Sequence, residues 1–135
     1  MIGIVIVAHG GLAGEYLAAV EHVVGAQPNL MSIAIGPDDD RDAKQNEICA
    51  AADQVDTGDG VVVVTDLYGG SPSNLSLRAC TPANRRILYG ANLPLLIKLA
   101  KSRHLVVGEA VSQAMDAGRK YINSRNINPE GEQAH

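Results

Sequence analysis

Two side chains capable of chemistry occupy matching places in this sequence. His9 directly follows the apolar run Gly3 to Ala8 and precedes Gly10-Gly11, while Asp66 directly follows Val61 to Thr65 and precedes Leu67-Tyr68-Gly69-Gly70-Ser71-Pro72. A carboxylate that accepts one imidazole N–H fixes the tautomer and leaves the other ring nitrogen with its lone pair directed outward. Such a nitrogen is an oriented nucleophile. A phosphoryl group arriving there needs donors for its oxygens. The peptide N–H groups near Gly10, Gly11 and Ser71 to Ser73 are placed to supply them, with the Ser71 hydroxyl as one more. Glycine lets the backbone approach a phosphate closely. Transfer from a phosphoprotein requires neither a nucleotide nor an obligatory metal in the site, so no cofactor is expected.

The two residues can meet only if the elements before them are neighbouring strands. Gly3 to Ala8 is short and rich in Ile and Val, as expected for a strand covered on both faces. Residues 13–24 place Tyr16, Leu17, Val20, Val23 and Val24 at helical spacing, with Gly25 as a stop. Leu30 to Ile35 is strand-like, and Ile48, Ala51, Ala52 and Val55 line one face of a second helix. Val61 to Thr65 is the clearest strand. Ser71 is placed as an N-cap with Pro72 at the first helical position, opening a helix towards Cys80. Ile87 to Tyr89 gives a fourth strand, Asn92 and Pro94 open a helix through Leu99, and Val107 to Met115 marks another ending at Gly118.

This alternation predicts a single-domain α/β fold, an open and mostly parallel sheet with helices on both faces. In such sheets ligands bind outside the carboxyl ends of the strands, where His9 and Asp66 both fall. Residues 119–124 have the character of a short edge strand, and Asn126 to His135 is a polar tail expected to fray. The domain is therefore expected to span residues 1–125. Its core must be built from aliphatic residues, because 46% of the chain is apolar yet Phe and Trp are absent.

The segments Val7-Ala8-His9-Gly10 and Thr65-Asp66-Leu67-Tyr68-Gly69-Gly70-Ser71-Pro72-Ser73-Asn74 resemble the enzyme IIA domain of the mannose-family sugar phosphotransferase system. The second motif is the more specific, and the resemblance in length and element order extends over about residues 1–124. It implies an α/β homodimer that relays a phosphoryl group from the carrier HPr to an enzyme IIB in sugar transport, with His9 phosphorylated. By position it implies that Asp66 orients and supports His9, that Thr65 sits beside them, and that Ser71 and Ser73 belong to the phosphoryl-binding segment. It also implies a C-terminal antiparallel edge strand exchanged across the dimer near Arg119 to Ser124. Tyr68 and Ser73 stand where Phe is common in the family, differences that fall on the docking surface. The phosphocarrier subunit of dihydroxyacetone kinase is similar in fold, but the Gly-Gly-Ser-Pro-Ser-Asn run is closer to the mannose family. A regulatory phosphoprotein, whose target responds to the state of His9 without sugar transport, would use the same site, because added phosphoryl charge can create or abolish an interface.

Other chemistries fit less well. His9-Gly10-Gly11-Leu12-Ala13-Gly14 departs from the dinucleotide-binding pattern where its first glycine makes the turn beneath the pyrophosphate, and a histidine there obstructs the ligand. No P-loop sequence is present. Gly-Gly-Ser-Pro-Ser is not a nucleophile elbow. Asp38-Asp39-Asp40 precedes a helix, where acids cap free N–H groups, and no second acidic cluster completes a metal set. His22, His104 and His135 lie beside no chemical motif. Cys49 and Cys80 are expected to be reduced, buried thiols.

The net charge of −4 conceals an asymmetry: residues 1–77 carry eleven acids and two bases, residues 78–135 four acids and nine bases. An acidic chain with this distribution disfavours nucleic acid as a partner, while the later basic residues could help steer a protein. No apolar run approaches the roughly 20 residues of a membrane helix, and Ile2 to Ala8 lacks the basic flank of a signal peptide. A cytoplasmic location without direct membrane insertion is the expectation.

Overall fold

The computed structural model describes residues 1–128, ordered as β1 (Gly3–His9), α1 (Leu12–Val24), β2 (Leu30–Ile35), α2 (Arg41–Val55), β3 (Val61–Thr65), α3 (Ser71–Ser76), a 3-10 turn (Arg78–Cys80), β4 (Arg85–Leu88), α4 (Leu93–Lys101) and α5 (Val107–Lys120). The four strands form one parallel sheet in the order β2-β1-β3-β4. The α/β class, with helices on both faces, is thus as the sequence predicts. β1 leads to its neighbour on one side, and the chain then crosses to the other side of β1 to lay down β3. The junction between β1 and β3 is therefore the point where the winding reverses.

Alternating side chains of the two central strands feed two cores. Ile4, Ile6, Val62 and Val64 pack under α1, α4 and α5 with Val20, Leu96, Leu99 and Ala114. Val5, Val7, Val61 and Val63 pack under α2 and α3 with Ile48, Ala52, Val55 and Leu75. Residues of β1 and β3 from Ile4 to Ala8 and from Val61 to Val64 are at most 1% exposed. Each buried aliphatic side chain stabilises the fold by roughly 1.5–3 kcal/mol. A one-residue slip of either strand would exchange the two sets, so the register is firmly specified.

The base of the sheet is tied by Arg103, which is 4% exposed. Its Nε donates to the Ile2 carbonyl at 2.7 Å and its Nη2 to the Asn29 carbonyl at 2.8 Å, while the Ile2 N–H donates back to the Arg103 carbonyl at 2.9 Å. Burial lowers the pKa of the guanidinium, but it stays charged at working pH. At the free edge of the sheet, Arg85 bridges Asp53 at 2.8 Å and Asp56 at 3.1 Å.

Several boundaries differ from the sequence reading. Gly70 rather than Ser71 is the N-cap of α3, and it does so without a side-chain cap, so Ser71 is the first helical residue and Pro72 the second. β4 starts at Arg85 and ends at Leu88, its charged first half having hidden it from a hydrophobic pattern. Gly118 does not stop α5. It brings the helix close to α4, where a Cβ would stand 3.1 Å from Leu95 Cβ, and two further residues complete the helix. Arg119 and Lys120 consequently belong to α5, and no edge strand forms over residues 119–124 in the single chain. Cys49 and Cys80 are free thiols, half-buried rather than sealed, and burial pushes the Cys80 thiol up to about 11. The expected tail over residues 126–135 lies mostly outside the described residues.

Gly60, just before β3, has φ +95°, and a Cβ there would collide with the Asn84 carbonyl oxygen and a Val107 methyl. Gly60→Ala is expected to cost roughly 2–4 kcal/mol by combined overpacking and left-handed strain, read from urea unfolding. Gly14, in α1 with nothing within 4 Å of its Cβ position, is the control. Gly14→Ala should leave stability unchanged or raise it by up to about 1 kcal/mol.

Candidate functional site

The parallel pairing of β1 with β3 runs from Gly3 opposite Val61 to Val7 opposite Thr65. Beyond its last pair the two chains each continue by a residue or two, which puts His9 and Asp66 at the same end of adjacent strands. His9 Nδ1 lies 2.7 Å from Asp66 Oδ2, and the same oxygen accepts the His9 backbone N–H at 3.1 Å. The other carboxylate oxygen, Oδ1, accepts the Leu67 N–H at 3.0 Å. The carboxylate thus fixes both the backbone and the ring of the histidine.

Exposure divides the pair. The Asp66 side chain is 9% exposed and the His9 side chain 50%. Burial pushes the Asp66 carboxyl up, but the hydrogen bond from the His9 ring, the His9 amide and the adjacent charge outweigh it and hold the carboxyl below the usual carboxylate range. An ionised Asp66 can only accept, so Nδ1 carries the proton of the shared hydrogen bond. Nε2 is left with the lone pair, on a ring that is half-exposed.

The glycines around the ring have distinct parts. Gly10 has φ +55° and donates its N–H to the Ile35 carbonyl at 2.9 Å, turning the chain sharply out of β1 into α1. Gly11 is the N-cap of α1, again with no side-chain cap. The N-terminal amides of α1 and α3 therefore open on the rim that holds His9, with Ser71 exposed at the start of α3. Thr65 and Ser73, in contrast, are 0% and 3% exposed, and the Thr65 hydroxyl has no hydrogen-bond partner. Burial places these two behind the rim instead of on its surface.

Three features escaped the sequence reading. Gly70 lies against the imidazole: a Cβ there would stand 3.2 Å from His9 Cε1. The Leu67 amide completes the partners of Asp66. Tyr68, 78% exposed, meets Tyr89 edge to face with ring centroids 5.0 Å apart. Of the three, only Gly70 carries a sequence signal, as the second glycine of the pair that precedes Ser71.

The acidic run before α2 is engaged in local structure: Asp39 accepts the Gly36 N–H at 2.6 Å and Asp40 caps the helix through the Ala43 N–H at 3.1 Å. No group of three or more His, Cys, Asp or Glu among the described residues is arranged to hold a metal ion. His22 and His104 are exposed and remote from the dyad in the fold. Among the described residues, no helix is long and apolar enough to cross a membrane.

Comparison with known proteins bears on this arrangement. The sequence model of the family described as "PTS system fructose IIA component" matches residues 3–116, which include both strand ends and the loops that follow them. The chain belongs to this EIIA family.

EIIA components are phosphotransferase-system proteins, and membership supports a phosphoryl-transfer role. The mannose-specific EIIAB component of Escherichia coli strain K12 is 28% identical over 131 residues, covering 95% of this chain but only 41% of the relative. The sorbose-specific EIIA component of Lacticaseibacillus casei is 26% identical over 123 residues, covering 90% of this chain and 88% of the relative. The crystal structure of an EIIA component from Streptococcus agalactiae superposes with a TM-score of 0.82 at 26% identity, covering 92% of this chain and 97% of that one. The family and fold implied by the two sequence motifs are therefore in place.

The charged state of Asp66 has a measurable signature. Because its folded pKa is lowered, its contribution to stability is present above the ordinary carboxylate pKa and is lost as pH falls through the lowered folded value. Asp66→Asn should be about 1.5–3 kcal/mol less stable than the wild type at neutral pH, the range for hydrogen bonds to charged groups. The gap should close on acidification, as read from urea unfolding at a series of pH values.

Proposed function

We propose that His9 Nε2 accepts a phosphoryl group from the phosphohistidine of HPr and passes it to an enzyme IIB, making the chain a protein-histidine phosphotransferase of the sugar phosphotransferase system. The observation that carries this reading is the 2.7 Å contact between Nδ1 and Asp66, which leaves Nε2 as the outward lone pair on a half-exposed ring. As Nε2 attacks phosphorus, positive charge grows on the imidazole, and the Asp66 carboxylate faces it. The Gly10 amide is spent on the Ile35 carbonyl, so the amides of Gly11 and of the first turns of α1 and α3, with the Ser71 hydroxyl, hold the phosphoryl oxygens. Thr65 and Ser73 act from beneath by supporting the strand end and the first turn of α3.

An open rim suits a phosphoryl group delivered by a protein. Cavities of about 640 and 460 Å³ lie elsewhere, and His9 lines neither. Leu12, Leu67 and Tyr68 expose apolar surface on elements that flank His9, a setting for a docked protein rather than for an enclosed small molecule. We take residues 1–125 as the carrier unit, acting in the cytoplasm.

The same reading includes a homodimer. β4 leaves one edge of the sheet open, and the 460 Å³ cavity beside it is lined by Arg86, Leu88, Leu95, Met115 and Ile122 among others. Tyr121, Ile122 and Ile127 follow α5 with 65%, 75% and 86% of their surface exposed. Pairing of this segment with β4 of a second copy would satisfy the open edge and cover those side chains.

Incubation with phosphoenolpyruvate, enzyme I and HPr is expected to place an acid-labile, base-stable phosphoryl label on the chain, and His9→Ala should abolish it. Label retained in that variant would overturn the assignment. Asp66→Asn should slow labelling by at least about tenfold through loss of ring orientation. Truncation after Lys120 should convert a dimer into a monomer in sedimentation.

A further inference from the structure

The edge of the imidazole that bears Nε2 has a wall, and the wall is a glycine. A Cβ added to Gly70 would stand 3.2 Å from His9 Cε1, 3.6 Å from Nε2 and 3.3 Å from Leu67 Cδ1. Gly70 itself has φ −83° and ψ 175°, an extended conformation open to every residue type. The backbone therefore gives no reason for glycine here. Its neighbour differs, since Gly69 has φ +85° and nothing within 4 Å of its Cβ position. One glycine of the pair serves the turn, and the other serves the histidine.

We propose that Gly70 is a positioning residue for phosphoryl transfer: the absence of a side chain leaves the space beside Nε2 open while the ring keeps its bond to Asp66. This rests on the reading of His9 as the phosphoryl acceptor and adds to it a determinant that the dyad alone does not contain. The ring has little freedom to yield. Nδ1 is held at 2.7 Å by a carboxylate that is itself fixed by the His9 and Leu67 amides. Leu67 closes the far side of the added methyl group. A methyl at Gly70 would therefore push the ring by a few tenths of an ångström or occupy room that the phosphoryl oxygens need. Near-attack geometry requires the reacting atoms about 3–3.5 Å apart and aligned, so either displacement slows the step.

In that step the Nε2 lone pair forms the new N–P bond. The donor's P–N bond breaks, and its electron pair returns to the donor imidazole nitrogen. Nε2 has no proton to lose, the Nδ1 proton stays on the ring and keeps its hydrogen bond to Asp66, and the positive charge gained by the ring is opposed by that carboxylate. With N-protonated phosphoramidate as a small donor the same bond forms at Nε2, and ammonia leaves with the electron pair of the broken P–N bond.

Initial labelling rates of the full chain distinguish this role from docking and from folding. Wild type, Gly70→Ala and Gly70→Ser would each be labelled by phosphoramidate and by phospho-HPr, with the 15N shifts of the His9 ring recorded in parallel. Both variants are expected to be slower by about tenfold or more with either donor. Their ring shifts should remain those of an Nδ1–H tautomer. A wild-type rate with phosphoramidate would overturn the proposal, because slowing confined to phospho-HPr would mean that Gly70 governs docking. Loss of the Nδ1–H tautomer would also overturn it, because the substitution would then act by breaking the dyad. A wild-type chain unlabelled by either donor would sink the parent reading of His9, whereas a labelled wild type with unaffected variants sinks this inference alone.

Discussion

The hydrogen bond between His9 and Asp66 depends on one constraint, the register of two parallel strands that are neither consecutive in the chain nor joined by a single crossover. Val7 sits opposite Thr65, and the histidine and aspartate lie just beyond that pair. A slip of one residue would carry Asp66 away from the ring and turn every β3 side chain to the wrong core. The site and the two cores are thus specified together. Burial of Val61, Val62, Val63 and Val64 against helices on both faces fixes where the carboxylate falls.

Placement at the reversal of the sheet also supplies the electrostatics. The winding changes direction between β1 and β3, so the helices that follow these two strands lie on opposite faces and start at the same rim. Two sets of unpaired helix amides open beside one imidazole as a result. The carboxylate below is kept ionised by the donors around it, so the ring meets a fixed negative charge on one edge and backbone dipoles on the other. An imidazole in this setting could gain positive charge without any large rearrangement of its surroundings, which is what the proposed transfer requires.

The strands before His9 and Asp66 were legible because buried parallel strands read as short unbroken aliphatic runs, and each ends at a chemically distinct residue. The pairing of the two could be expected from topology, since ligand sites gather at strand carboxyl ends. What escaped has physical causes too. Gly118 reads as a helix stop, yet its small size serves the approach of α5 to Leu95. Arg85 and Arg86 masked the start of β4, since a strand whose polarity is neutralised by Asp53 and Asp56 carries no hydrophobic signature. Ser71 has the composition of a cap, but the cap position falls one residue earlier, on Gly70, which lies against the ring. Thr65 and Ser73, expected beside the dyad and in the phosphoryl-binding segment, are buried, which a hydroxyl side chain does not signal in an aliphatic pattern.

Arg103 gives the molecule two unlike poles. Its guanidinium binds main-chain carbonyls of Ile2 and Asn29, contacts that do not depend on which side chains those positions carry. The foundation of the sheet is therefore insensitive to much sequence drift at the positions it clasps, and it lies at the far end of β1 from His9. Loops at the upper pole are freed from the duty of holding the sheet together, so the exposed Leu67 and Tyr68 carry no part of its foundation.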